Sequence, residues 1–223
     1  MTEKKIKTSS TLSSARIVLS LLIFAIIPLV HAILKALTGD DTISYTMALN
    51  LSACLFVLYD WNLFGVHWNR FRARLGDSLL YTAVGIVLIS LWCYVDRHFL
   101  SGYMLMPDPA IEHHYFFAFG AIFLAFSFCQ ALIVNISFKC LTDHMDIRDR
   151  ELLMILVSGF LFGLFYTIAF APLQLEIFVP SYLFNVVLVC ILSSLYNQSS
   201  SFMPGIIAMG TVYLILIVLE FLA

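Results

Sequence analysis

About seven apolar stretches, each long enough to cross a bilayer, take up most of this chain. They run roughly over residues 15–37, 42–61, 78–96, 113–138, 152–172, 175–196 and 203–222. Hydrocarbon offers no hydrogen bonds, so a spanning segment must satisfy its own backbone, and runs of this length do so as helices rather than as barrel strands. Charged residues make up only 12% of the sequence, about half the share usual in soluble domains. The expected fold is therefore all-α: a polytopic membrane helical bundle of about seven transmembrane helices. Residues 1–14 form its cytoplasmic tail, and 15–223 form a single transmembrane domain.

Basic residues set the orientation. Lys4, Lys5, Lys7 and Arg16 precede or open the first stretch; Arg70, Arg72 and Arg74 follow the second; Lys139, Arg148 and Arg150 follow the fourth. The intervening connections hold Asp40, Asp41, Asp96, Asp108 and Glu112, with Arg97 among them and Lys35 at an edge. This alternation predicts a cytoplasmic N-terminus. The first stretch is too long for a typical signal-peptide core and lacks a small-x-small site after it, so it reads as a retained helix. The net charge of −2 and the absence of a basic stripe give no case for nucleic acid. Cys54, Cys93, Cys129, Cys140 and Cys190 show no CxxC spacing and read as free thiols.

Ionisable groups at depth in a bilayer are costly and mark function, so they locate candidate chemistry. His31 and Lys35 share one face of the first stretch, where Lys35 snorkels to the interface. Asp60 and Asp96 end the second and third stretches and read as interface residues. Trp61, Trp68 and Trp92 read as aromatic anchors. Glu176 and Glu220 sit near stretch ends. The one constellation resembling a metal site is Glu112-His113-His114, but adjacent residues do not converge as the i, i+4 pair of an H-E-x-x-H helix does. It reads as an acidic helix start with histidines at headgroup level, and no metal or cofactor is expected. Asp143, His144 and Asp146 mix with Arg148 and Arg150 in a solvated loop. Gly159 and Gly163 form a G-x-x-x-G, which predicts close helix approach within the chain.

The last four stretches carry no acid at mid-depth, and this matters because of a resemblance. V-S-G-F-L-F-G-L-F-Y, ending at Tyr166, resembles an F-x-x-x-H motif with Phe162 kept and Tyr166 in the histidine's place. The tail L-Y-N-Q-S-S-S-F-M-P-G-I-I-A-M-G-T-V-Y resembles an L-Y-x-x-T-G-S-x-x-x-P turn followed by H-x-x-x-N. Leu195, Tyr196, Ser201 and Pro204 fit the turn, and Met209 and Tyr213 stand where the histidine and asparagine would be. Counting back, C-Q-A-L-I-V-N aligns Gln130 and Ala131 with a pair of glutamates and Asn135 with an arginine, as in E-E-x-x-x-R. These are the motifs of the CAAX-protease and bacteriocin-processing (CPBP, or Abi-type) intramembrane proteases, which the chain resembles from Ser127 onward.

The resemblance implies a protease-like helical core at about 113–223 without the groups that activate water. Glutamine cannot take up a proton as a general base, alanine has no polar group, and methionine neither shuttles protons nor suits a hard metal. The expected function is thus non-catalytic: binding or regulation of a membrane protein or peptide partner in a bacterial plasma membrane. Gln130, Asn135, Phe162, Tyr166, Met209 and Tyr213 line the expected cavity. Two alternatives stay open. One is an active CPBP-type endopeptidase with a divergent site at Glu112, His113 and His114. The other is a small-solute transporter or channel subunit, for which Pro28 and Pro180 mark the only candidate helix breaks.

Overall fold

A computed structural model describes residues 14–59, 61–100, 131–139, 141–142, 150–170 and 174–222. Every regular element among them is a helix: α1 (Ser14–Thr38), α2 (Asp41–Tyr59), α3 (Trp61–Ala73), α4 (Leu75–Phe99), α5 (131–139), α6 (Glu151–Phe170), α7 (Leu175–Ser199) and α8 (Met203–Leu222). Three helices are long and apolar enough to cross a membrane: α4, α6 over Glu151–Ile168, and α7. Shorter apolar segments run over Pro28–Thr38, Asn50–Tyr59 and Met203–Leu216. For α1, α2, α4, α6, α7 and α8 the helix limits fall within a few residues of the apolar stretches, while most of the fourth stretch, 113–138, lies outside the described residues.

Helix α4 shows small and polar residues facing inward and large apolar ones outward. On α4 the inward face is Ser78, Thr82, Gly85, Ile89, Cys93 and Asp96, whereas Leu79, Leu80, Val84, Val87 and Leu91 point outward and stay exposed. An apolar surrounding removes the penalty for exposed leucines, and small or hydroxylated residues let the backbones approach. The hydroxyls turn back on their own helices: Thr82 Oγ1 donates to Ser78 O at 2.8 Å and Thr167 Oγ1 to Gly163 O at 2.8 Å.

The central contacts join α6 to α7, and α4 to both α7 and α8; α1 pairs with α2 as a hairpin. Gly85 brings α4 close, since a Cβ there would lie 2.7 Å from Leu195 Cδ1 and 2.9 Å from Ala208 Cβ. Trp92 Nε1 donates to Phe184 O at 3.1 Å and its ring stacks on that of Phe184, tying α4 to α7. The G-x-x-x-G of α6 is used within the chain, as its spacing predicts. A Cβ on Gly163 would lie 2.9 Å from the Val186 backbone of α7, and one on Gly159 would overlap Cys190 Sγ. Beside these glycines Ser158 Oγ and Ser193 Oγ are 3.1 Å apart and buried. Replacing Ser158 with alanine is expected to lower unfolding stability in mixed micelles by about 0.6 kcal/mol, the average for a membrane interhelical hydrogen bond. A loss above ~2 kcal/mol would show that this pair carries more than a hydrogen bond.

Both prolines lie inside unbroken helices, Pro28 in α1 and Pro180 in α7. Pro180 is the sixth residue of α7, where the missing N–H removes one bond to Glu176 O without interrupting the helix. The helix breaks on which a transport reading leaned are not formed at either position.

Asp96 differs from the sequence expectation. It is fully buried on the inward face of α4 rather than placed at the interface, because the i, i+3, i+4 register from Ser78 carries it there. Lys139, expected in a solvated loop, is likewise buried at the end of α5.

Candidate functional site

Sequence reasoning treated residues 61–74 as a connection bearing three arginines; instead it folds as α3, a 13-residue helix. At about 1.5 Å per residue α3 is roughly 20 Å long, too short to span. Two faces define it. Leu63, His67 and Phe71, four residues apart, are buried. Trp61, Phe64, Gly65 and Trp68, spaced i, i+3, i+4 and i+7, line a different face. Neither face is visible to a hydropathy scan, because the arginines, asparagines and His67 offset the aromatics. The period of three to four in the aromatic residues is the signal that would have found the helix.

The buried face is fastened to the turn between α7 and α8. Ser200 there has a left-handed backbone, φ 55° and ψ 20°, and closes α7 through its N–H to Tyr196 O. Ser199 Oγ accepts from Ser201 N–H at 3.2 Å, and Ser201 Oγ accepts from Met203 N–H at 3.2 Å, capping the first turn of α8. Ser201 Oγ donates to His67 O at 2.9 Å, and Arg70 Nη1 donates to Ser200 O at 3.3 Å. The serines that sequence alone marks as a polar turn thus hold α3 in place.

His67 is the residue sequence reasoning missed. It has no exposed surface, and its ring lies 4.2 Å from that of Phe202 and 5.5 Å from that of Tyr196, centroid to centroid. Among the described residues neither ring nitrogen makes a well-formed hydrogen bond, the Ser200 backbone offering only a weak one. Burial, reinforced by the nearby positive charges of Arg70 and Lys139, lowers its pKa from 6.5 to about 3, against a smaller raising effect of the Ser200 backbone. The imidazole is therefore neutral at physiological pH.

The aromatic face of α3 forms one wall of an open groove of about 700 Å3. The other wall is α8, through Met203, Ile206, Ile207, Gly210, Thr211 and Leu214. Thr211 Oγ1 donates to Ile207 O at 2.7 Å, so the one hydroxyl of that wall is turned back onto its helix. The groove is apolar along its length.

The positions aligned with the protease motifs lie elsewhere. Gln130 lies outside the described residues, as do Glu112, His113 and His114. Ala131, Asn135, Phe162, Tyr166, Met209 and Tyr213 are all buried, and all but Asn135 belong to one hydrophobic core cluster. Asn135 Nδ2 donates to Ala131 O one turn back, and its Oδ1 is buried without a partner. The amide sits over Gly205 of α8, where a Cβ would come within 3.0 Å of Nδ2. The structure thus buries each of these positions, brings Asn135 of α5 against Gly205 of α8, and places none of them on the groove.

Among the described residues no three histidine, cysteine, aspartate or glutamate side chains gather in a metal-ligating group. Cys54, Cys93 and Cys190 are free thiols. Lys35 is exposed and His31 half-buried near the end of α1. His98 stacks on Tyr94 with ring centroids 4.1 Å apart on the outer face of α4, and Glu176 is exposed in the first turn of α7. No protein-family model, no curated protein and no solved structure matches the chain.

Proposed function

We propose that the chain is a seven-span protein of a bacterial plasma membrane, with its N-terminus in the cytoplasm, that works by binding rather than by catalysis. In this reading residues 113–223 form a degenerate CPBP-like core, and the protein holds or regulates another membrane protein or a peptide. The observation that carries it is the interior environment of the aligned positions. Ala131, Asn135, Phe162, Tyr166, Met209 and Tyr213 are each buried, and none is a carboxylate or imidazole of the kind a protease needs around a water. None of these six side chains takes up a proton near neutral pH.

The test compares membrane-protein N-termini in cells with and without the chain, and recovers crosslinked partners from the same cells. Unchanged N-termini together with a specific crosslinked protein support the binding reading. Recovery should then fall severalfold in the Tyr166→Leu/Met209→Leu variant, provided it is folded. New cleavage ends that vanish in Glu112→Gln would replace the reading with a divergent protease. Solute flux in proteoliposomes would replace it with a transporter.

A further inference from the structure

The groove between α3 and α8 has a length and a charged end, and both point to the same occupant. Its α8 wall runs from Met203 to Leu214, about 16 Å at 1.5 Å per residue. Half of a bilayer's hydrocarbon core is about 15 Å thick. A groove of that length, walled by a helix too short to span, matches the depth of one leaflet. About 700 Å3 over that depth makes a slot that stays open along its side.

The charge lies at the shallow end. The grooved face of α3 continues from Trp68 to Arg72, one turn on, where the guanidinium is exposed; Arg74 follows at the corner into α4 and is also exposed. Asp77 is the one acid in the first turn of α4, and Asp60 precedes the opposite end of α3. Trp61 and Trp68 are both exposed against this apolar slot, as ring systems at a headgroup boundary are.

We infer that the groove is a binding site for an anionic phospholipid, with one acyl chain between α3 and α8 and the phosphate at Arg72 and Arg74. Arginine near a membrane surface attracts anionic headgroups, while the apolar walls do not distinguish one headgroup from another. Selectivity should therefore come from the arginines and occupancy from the groove. The inference needs only that α8 lies in the bilayer and does not depend on a protease-like core.

Gly65 offers the means to test occupancy. A Cβ at Gly65, on the groove wall, meets nothing within 4 Å, so a leucine there starts into open space and takes up room in the groove. The full chain is reconstituted in vesicles of equal phosphatidylglycerol and phosphatidylcholine in which only one lipid carries brominated chains, and tryptophan quenching is read. Brominated phosphatidylglycerol is expected to quench with about tenfold higher relative affinity than brominated phosphatidylcholine. Gly65→Leu should abolish that excess, and Arg72→Gln/Arg74→Gln should bring the two lipids close to parity. Equal quenching by both lipids in the native chain overturns the site. So does an undiminished excess in either variant. Equal quenching together with disulfide-linked dimers through Ile207→Cys would assign the groove to a second copy of the chain instead.

Discussion

Replacing Gly163 with leucine is expected to lower the unfolding stability of this protein by about 3 kcal/mol, and the pair Gly159→Leu/Gly163→Leu by more. The reason lies in what the first added carbon meets. At Gly163 it would lie 2.9 Å from Val186 N and Cα, which are backbone atoms and do not rotate away. The helices must separate along the α6–α7 contact, weakening the Ser158–Ser193 pair beside it. Overpacking of a dense interior costs ~1–3 kcal/mol for each added group. In lipid, the apolar faces gain nothing from burial against each other that they lack against acyl chains, so close packing is the main attraction lost. Gly76→Leu is the control, because a Cβ there meets open space. Denaturant titration in mixed micelles should separate the two variants clearly. An unshifted midpoint for Gly163→Leu would mean that α6 and α7 do not meet at this glycine.

The second large effect is acid lability with a single main source. The unfolded chain protonates His67 below about pH 6.5, whereas the folded protein resists until about pH 3. Between these limits the unfolded state holds more protons, so stability falls as pH falls, by up to ~1.4 kcal/mol per pH unit. The loss amounts to about 2 kcal/mol at pH 5, and it is absent above pH 6.5. Carboxylates add their own acid dependence at lower pH, so the informative quantity is the difference between native protein and His67→Phe. Phenylalanine suits the space between Phe202 and Tyr196 and removes two buried nitrogens that make no well-formed hydrogen bond. It should match or exceed native stability at pH 7 and lose less between pH 6.5 and 4. Parallel stability curves for the two proteins across that window would refute the assignment.

The contrast between these two positions explains what the sequence makes legible. Gly159 and Gly163 announce a close approach because only glycine at i, i+4 leaves that space, although the sequence does not say that Val186 fills it. Helix limits were readable for the same local reason: an apolar run of membrane length has few alternatives. The side of α3 that faces inward is a different matter. It is chosen by Ser200 and Ser201, about 130 residues away, and no local pattern carries that information. His67 was therefore invisible as a buried group, and the aromatic face of α3 read only as scattered anchors. Asp96 shows the limit of a boundary argument, since its place near the end of an apolar run suggested the interface while the helical register turned it inward. The motif-aligned positions were expected to line a cavity; that each is buried is a tertiary fact, since Leu164 and Phe165 of the same apolar run are exposed.

The seryl turn that grips α3 also fixes an order of events in biosynthesis. The two contacts that seat α3 join residues 130 and 134 positions apart. At about 5–20 residues per second a ribosome takes on the order of ten seconds to make that length of chain. Throughout that interval α3 exists without this dock. The newly made protein thus passes through a stage in which α3 has neither of the contacts that later seat it. Seating of α3 becomes possible once α7 and α8 have formed their turn, which makes the burial of His67 a late marker of completed assembly.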